Sequence, residues 1–178
     1  MHYVRVKTIV FTAIFISLTV IFTHVFAIQT PFIRISFGFL PVALFAMLFG
    51  PIKGACMAAL ADLVGCLIFS PGLYFPGFTV SAFLAGLIYG YFFYNKEITL
   101  TKIIFVSSII FILIDLFLNT LWLCTLYQRA AQAFFLGRLI KSVILLPVQI
   151  SILYTVYKAI CHHKISSVIN TKNSFFNS

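Results

Sequence analysis

Residues 101–126 read TKIIFVSSIIFILIDLFLNTLWLCTL, with Lys102 at one end and Asp115 as the only other charge. Such a run exceeds the roughly 20 apolar residues that a helix needs to cross a bilayer. Thr8 to Ile28 has the same character, and further apolar segments fall at about 37–50, 52–70, 76–94 and 139–161. The segments 37–50 and 52–70 are shorter than that span length. Pro41, Gly50 and Pro51 interrupt or bound them, so a tight helical hairpin is expected, turning at Gly50-Pro51-Ile52-Lys53. The expected fold is all-α, a bundle of six transmembrane helices. It occupies residues 1–163 and is followed by a polar, frayed cytoplasmic tail over 164–178.

Composition agrees. The chain of 178 residues is 62% hydrophobic and 8% charged, with a mean hydropathy of +1.14. Soluble domains carry about a quarter of their residues as charges, so the chain is an integral membrane protein. A net charge of +9 could suggest nucleic acid, but the basic residues stand singly between apolar stretches and form no patch. They act instead as a topology signal. With the amino terminus in the cytoplasm, Arg5, Lys7, Lys53, Lys96, Lys102, Lys158, Lys164 and Lys172 lie inside, and Arg34, Arg129, Arg138 and Lys141 outside. The excess predicts both termini in the cytoplasm of a multi-pass protein of the bacterial cytoplasmic membrane.

Arg5 and Lys7 precede the first apolar run, and Val25-Phe26-Ala27 faintly resembles a signal-peptidase site. Signal-peptide cores are shorter, so the first helix is expected to stay uncleaved, with no soluble domain before it or after the last span. Cys56, Cys66, Cys124 and Cys161 form no CxxC pair. His162 and His163 follow Cys161 without a nearby carboxylate, so neither a disulfide framework nor a metal or other cofactor is expected.

Candidate chemistry concentrates on the side that the charges mark as outside. The loop Ser70-Pro71-Gly72-Leu73-Tyr74-Phe75-Pro76-Gly77-Phe78-Thr79 has two Pro-Gly steps and offers Tyr74, Phe75 and Phe78 for stacking on a ring system. It reads either as an interfacial aromatic belt or as a ligand lid. Asp115, Asn119 and Trp122 stand at i, i+4 and i+7 and share a helix face. Arg138, Lys141, Leu145 and Gln149 form a similar stripe, and Asp62 adds a carboxylate. An ionised group at mid-membrane costs about 2.5–3.5 kcal/mol on insertion scales, so these side chains should face a bundle interior or cavity. Salt bridges from Asp62 or Asp115 to Arg138 or Lys141 would absorb some of the charge. The surplus of cations beside aromatics nevertheless suggests an anionic, aromatic ligand, with Asp or Asn accepting from ring donors and Arg or Lys holding carboxylates.

Small residues recur at helix-contact spacing: Ala13 and Ser17, then Ala58, Ala61 and Gly65, then Ala82, Gly86 and Gly90. These stripes suit packing within the chain or docking on another membrane subunit. The sequence has no GxxxxGK[ST] phosphate loop, no GxSxG or HExxH motif and no inverted repeat. A self-powered pump, an intramembrane enzyme and a self-sufficient secondary transporter are therefore disfavoured.

Arg34-Ile35-Ser36-Phe37-Gly38-Phe39-Leu40-Pro41, Leu48-Phe49-Gly50-Pro51, Ala59-Leu60-Ala61-Asp62-Leu63, Tyr74-Phe75-Pro76-Gly77-Phe78-Thr79, Asn119-Thr120-Leu121-Trp122-Leu123, Arg138-Leu139-Ile140-Lys141 and Leu146-Pro147-Val148-Gln149 occur in that order. Over about residues 8–160 the chain resembles the folate-specific substrate-binding (S) component of energy-coupling factor transporters. That resemblance implies a six-helix protein that captures a vitamin at its extracellular face, partnered by a membrane scaffold subunit and two cytoplasmic ATPases. It places scaffold docking on an AxxxA-like stripe of the first helix, matched here by Ala13 and Ser17. The ligand it implies is folate, with Tyr74, Phe75, Phe78 and Trp122 around its rings, Asp62 or Asn119 at the pterin edge, and Arg34, Arg138 or Lys141 at the carboxylates. Riboflavin, thiamine or pantothenate are the alternative vitamins, the outward cations counting against thiamine. A structural or assembly subunit without a ligand is the alternative of another class.

Overall fold

The structure, a computed structural model, describes residues 2–29, 34–69, 75–127, 139 and 145–159, the side chains of 2–7, 28, 29, 34, 35 and 127 excepted. Helix α1 (His2–Val20) runs into a π-helical turn, Ile21–Val25. A two-stranded antiparallel ribbon follows, β1 (Ile28–Gln29) pairing with β2 (Arg34–Ile35) in the register Ile28 to Ile35 and Gln29 to Arg34. Next come α2 (Phe39–Phe49), α3 (Pro51–Phe69) and α4 (Pro76–Phe93). One continuous helical body then joins α5 (Leu100–Ile109), a π-helical stretch (Ile110–Leu118) and α6 (Asn119–Tyr127). A last helix, α7, covers 145–159.

This is an all-α membrane bundle with one short ribbon. Thr8–Val25, Pro51–Phe69, Pro76–Phe93 and Leu100–Leu126 are each long and apolar enough to cross a membrane. α3, at 19 residues, has the length read from the sequence and is just long enough to cross, while α2, at 11 residues, is short as expected. The turn between them is tighter than the expected four residues. Gly50 alone breaks the helix, at φ 94, and Pro51 already starts α3. Glycine is needed there because a side chain at that φ is strained, and proline suits the first helical position, where its missing N–H is no loss. The Gly50 N–H closes α2 on the Ala46 carbonyl at 3.0 Å.

In lipid, apolar burial does not drive helices together, so close van der Waals packing must do it, which favours small residues at contacts. α3 and α4 meet in this way. A Cβ on Gly86 would lie 2.6 Å from the Gly54 carbonyl oxygen and 2.9 Å from the Ala55 Cα. One turn on, Gly90 abuts Pro51. Ala58, Ala61 and Gly65 are also buried, so the stripes of α3 and α4 serve packing within the chain. Phe45, Ala46, Met57, Tyr89 and Phe93 fill the centre, and Ile103, Val106, Ile110 and Ile114 close it from the α5 side. The outer surface is a girdle of exposed large apolar residues, including Ile9, Ile14, Leu67, Ile68, Ile112 and Phe117. A surface this apolar is what a lipid-facing wall requires.

Candidate functional site

Asp62, Thr79, Ser81, Asp115, Asn119 and Trp122 are linked in pairs by side-chain hydrogen bonds that run from α3, through the first turns of α4, to α6. Pro76 occupies the first turn of α4 and starts it without an N–H to satisfy. Thr79 and Ser81 sit on the next turn, and each secures a side chain from another helix. The Thr79 hydroxyl donates to Asp62 Oδ2 of α3 at 2.8 Å. The Trp122 indole N–H of α6 donates to the Ser81 hydroxyl oxygen at 3.1 Å, and Ser81 is only 3% exposed. α4 is thus a spine against which an acid and an aromatic are both held.

The aromatic side of the site is compact. Phe75 lies with its ring centroid 5.7 Å from Trp122 and 6.1 Å from Phe78, tilted against the first and edge-on to the second. Aromatic pairs prefer such arrangements, each adding about 0.5–1.5 kcal/mol beyond burial. Gly77 makes the assembly possible, because a Cβ there would come within 2.5 Å of both the Phe75 and Trp122 rings.

The other wall comes from the junction of the π-helical stretch with α6. π-Helical turns are rare and are frequently found at functional sites. Here the Asn119 backbone N–H bonds the Ile114 carbonyl, and the Asn119 side-chain amide donates to Asp115 Oδ1 at 3.3 Å. Asn119 Oδ1, the neighbouring Thr120 hydroxyl and, on α5, the Ser107 hydroxyl are buried with no hydrogen-bond partner among the described residues. A buried acceptor left unpaired costs roughly 1–3 kcal/mol, and Asn119 Oδ1, one turn from Trp122, is the one of these atoms on the helix face that carries the aromatic cluster.

Of the residues expected at the site, Phe75 packs against both Phe78 and Trp122. Asp62 is fixed to the same helix, and Asn119 stands one turn before Trp122. Tyr74, Arg129, Arg138 and Lys141, the side chain of Arg34 and the tail 164–178 lie outside the described residues. Ala13 and Ser17 are exposed on α1, away from this cluster, with the Ser17 hydroxyl satisfied by the Ala13 carbonyl at 3.0 Å.

Sequence reasoning assigned no role to Thr79 or Ser81, though hydroxyls early in an apolar helix were a usable signal, and it offered Asp115 as a salt-bridge partner rather than as the acceptor of the Asn119 amide. It also missed the bond from the Gln149 amide to the buried Tyr89 hydroxyl, 2.7 Å, which ties α7 to α4. His24, in the π-helical turn after α1, stacks on Phe69 at 5.3 Å and packs on Gly65, joining the end of α1 to the end of α3. Among the described residues no three His, Cys, Asp or Glu converge as a metal site. An apolar crevice between α2 and α7, lined by Ala43, Met47, Phe93, Ile98 and Tyr157, lies at the opposite end of the bundle and has no polar group suited to this chemistry.

Residues 3–170 match the family model described as "ECF-type riboflavin transporter, S component". The chain is 41% identical to the folate transporter FolT of Clostridium novyi (strain NT) over 156 residues, which is 88% of this chain and 91% of that protein. It is 30% identical to the folate transporter FolT of Leuconostoc mesenteroides over 133 residues, covering 71% of this chain and 72% of the relative. A crystal structure of FolT bound with folic acid superposes with a TM-score of 0.82 at 42% identity, over 84% of this chain and 92% of the other.

Proposed function

The chain belongs to the ECF-type S-component family, and from that membership we propose that it is the folate-capturing subunit of an importer. It is a multi-pass cell-membrane protein. In the proposed reading it has six spans with both termini in the cytoplasm, and the end built from Asp62, Phe75, Phe78, Asn119 and Trp122 faces outward. The likeness to a relative solved with folic acid, at 42% identity over most of both chains, carries the ligand assignment.

The chemistry supports it. The pterin and aminobenzoate of folate are flat rings suited to Tyr74, Phe75, Phe78 and Trp122. Their N–H groups need acceptors, which Asp62 and Asn119 supply. The glutamate carboxylates need cations, for which Arg34, Arg138 and Lys141 are the candidates. Residue by residue, these contacts are proposals. The chain is proposed not to be an enzyme itself. ATP hydrolysis belongs to two cytoplasmic ATPases acting through a membrane scaffold subunit, which docks on the exposed Ala13 and Ser17 stripe of α1.

Because the matching family model names riboflavin, the deciding experiment is calorimetry of the purified protein in detergent with folic acid and riboflavin in parallel. Folic acid is expected to bind and riboflavin not; the reverse result would overturn the substrate. The docking face is tested by Ala13→Leu with Ser17→Leu. Binding should persist while folate uptake in cells is lost, and unchanged uptake would move docking elsewhere.

A further inference from the structure

We propose that Asp115 is a positioning residue that sets the direction of the Asn119 side-chain amide and thereby makes Asn119 an acceptor for an amino N–H of the ligand's heterocycle. The inference rests on the folate reading above and adds to it the residue that decides what Asn119 presents. An asparagine amide carries donors on one side and an acceptor on the other, and alone it could turn either way. A carboxylate only accepts, so Asp115 Oδ1, 3.3 Å from Asn119 Nδ2, holds the nitrogen side. The oxygen is then forced to the other side, where it is buried and meets no partner among the described residues.

Three features place that oxygen for recognition. Asn119 is the first residue of α6, where the π-helical stretch ends, and its own N–H is already used on Ile114. Trp122 stands three residues on, so the two side chains are neighbours on one helix face. Its indole is in turn fixed by Ser81. A flat ring stacked on the aromatic cluster would bring its edge to a preset acceptor. A site built to accept from a ligand N–H discriminates strongly against an analogue lacking it, because the buried acceptor is then left unpaired.

The test uses the full chain in detergent and two ligands, folic acid and its analogue lacking the pterin 2-amino group, titrated into four proteins. The wild type should prefer folic acid by about tenfold or more. Asn119→Ala should abolish that preference. Asp115→Asn should reduce it severalfold without lowering the thermal unfolding midpoint by a comparable amount, because two amides can pair in either sense. The exchange Asp115→Asn with Asn119→Asp should restore it, since an acceptor again faces the ligand from position 119. A merely structural pair would change stability and leave the preference between ligands intact. Wild-type protein that binds folic acid, with the same preference surviving in Asn119→Ala, overturns this assignment alone. Wild-type protein that binds no folic acid overturns the folate reading and this assignment with it. Asn119→Ala and the exchange variant decide the matter even if Asp115→Asn alone does not fold.

Discussion

The α3–α4 pair is built in two ways along its length. Near Gly50 the helices touch backbone to backbone, with Gly54 against Gly86 and Pro51 against Gly90. Towards the start of α4 the same helices are joined by side chains instead, the Asp62 carboxylate reaching the Thr79 hydroxyl, while Trp122 from α6 leans on Ser81. Along the first half the two backbones leave no gap between them, and its buried polar side chain, Tyr89, is already bonded to Gln149. The second half holds its polar groups at the length of a side chain and leaves an acceptor unpaired. A bundle can thus fix one end rigidly by close packing and keep chemistry at the other, and substitutions in the two halves should fail in different ways.

The largest effect is expected from Gly86→Val. Its Cβ would press on the α3 backbone, which cannot swing aside as a flexible side chain can. Overpacking of this kind costs about 1–3 kcal/mol or more, so the thermal unfolding midpoint in detergent should fall sharply, or little folded protein should be recovered. An unchanged midpoint would break the comparison. Trp122→Ala should do the reverse. Loss of the ring against Phe75 and of the bond to Ser81 should lower folate affinity by about a hundredfold with a smaller change in unfolding, and Trp122→Phe, keeping a ring, should fall between. Equal damage to stability and binding would show that the two halves are not separate. The smallest effect is expected from Thr79→Val, which keeps the shape and removes the donor to Asp62. A hydrogen bond to a charged group is worth about 1.5–3 kcal/mol, and because a freed carboxylate can turn to another donor, about tenfold weaker folate binding is expected. Binding unchanged by calorimetry would confine the Asp62–Thr79 contact to helix packing.

Much of this was legible in the sequence, and particular residues show why. The spans could be drawn because a bilayer demands long apolar runs, a signal that lies within each segment. Asp115, Asn119 and Trp122 were placed on one face from their spacing alone, since helix geometry is local. The π-helical stretch from Ile110 to Leu118 was not foreseen, because its residues carry the same apolar pattern that an α-helix would. Gly50 and Pro51 gave away a turn but not its tightness. Thr79 and Ser81 passed as ordinary hydroxyls, because their partners are 17 and 41 residues distant and on other helices.

The small-residue stripes mark the division most clearly. Ala13 and Ser17, Ala58 and Ala61, and Gly86 and Gly90 look alike as spacing. Only the packed bundle decides that α1 leaves its pair exposed while α3 and α4 bury theirs. By itself the sequence determined that the chain is a helical membrane protein with its aromatic and acidic candidates at one end, because apolar length and helical periodicity are properties of single segments. Which hydroxyl holds which acid, which stripe stays open and which acceptor is left without a partner are relations between segments, and they exist only once the helices have packed.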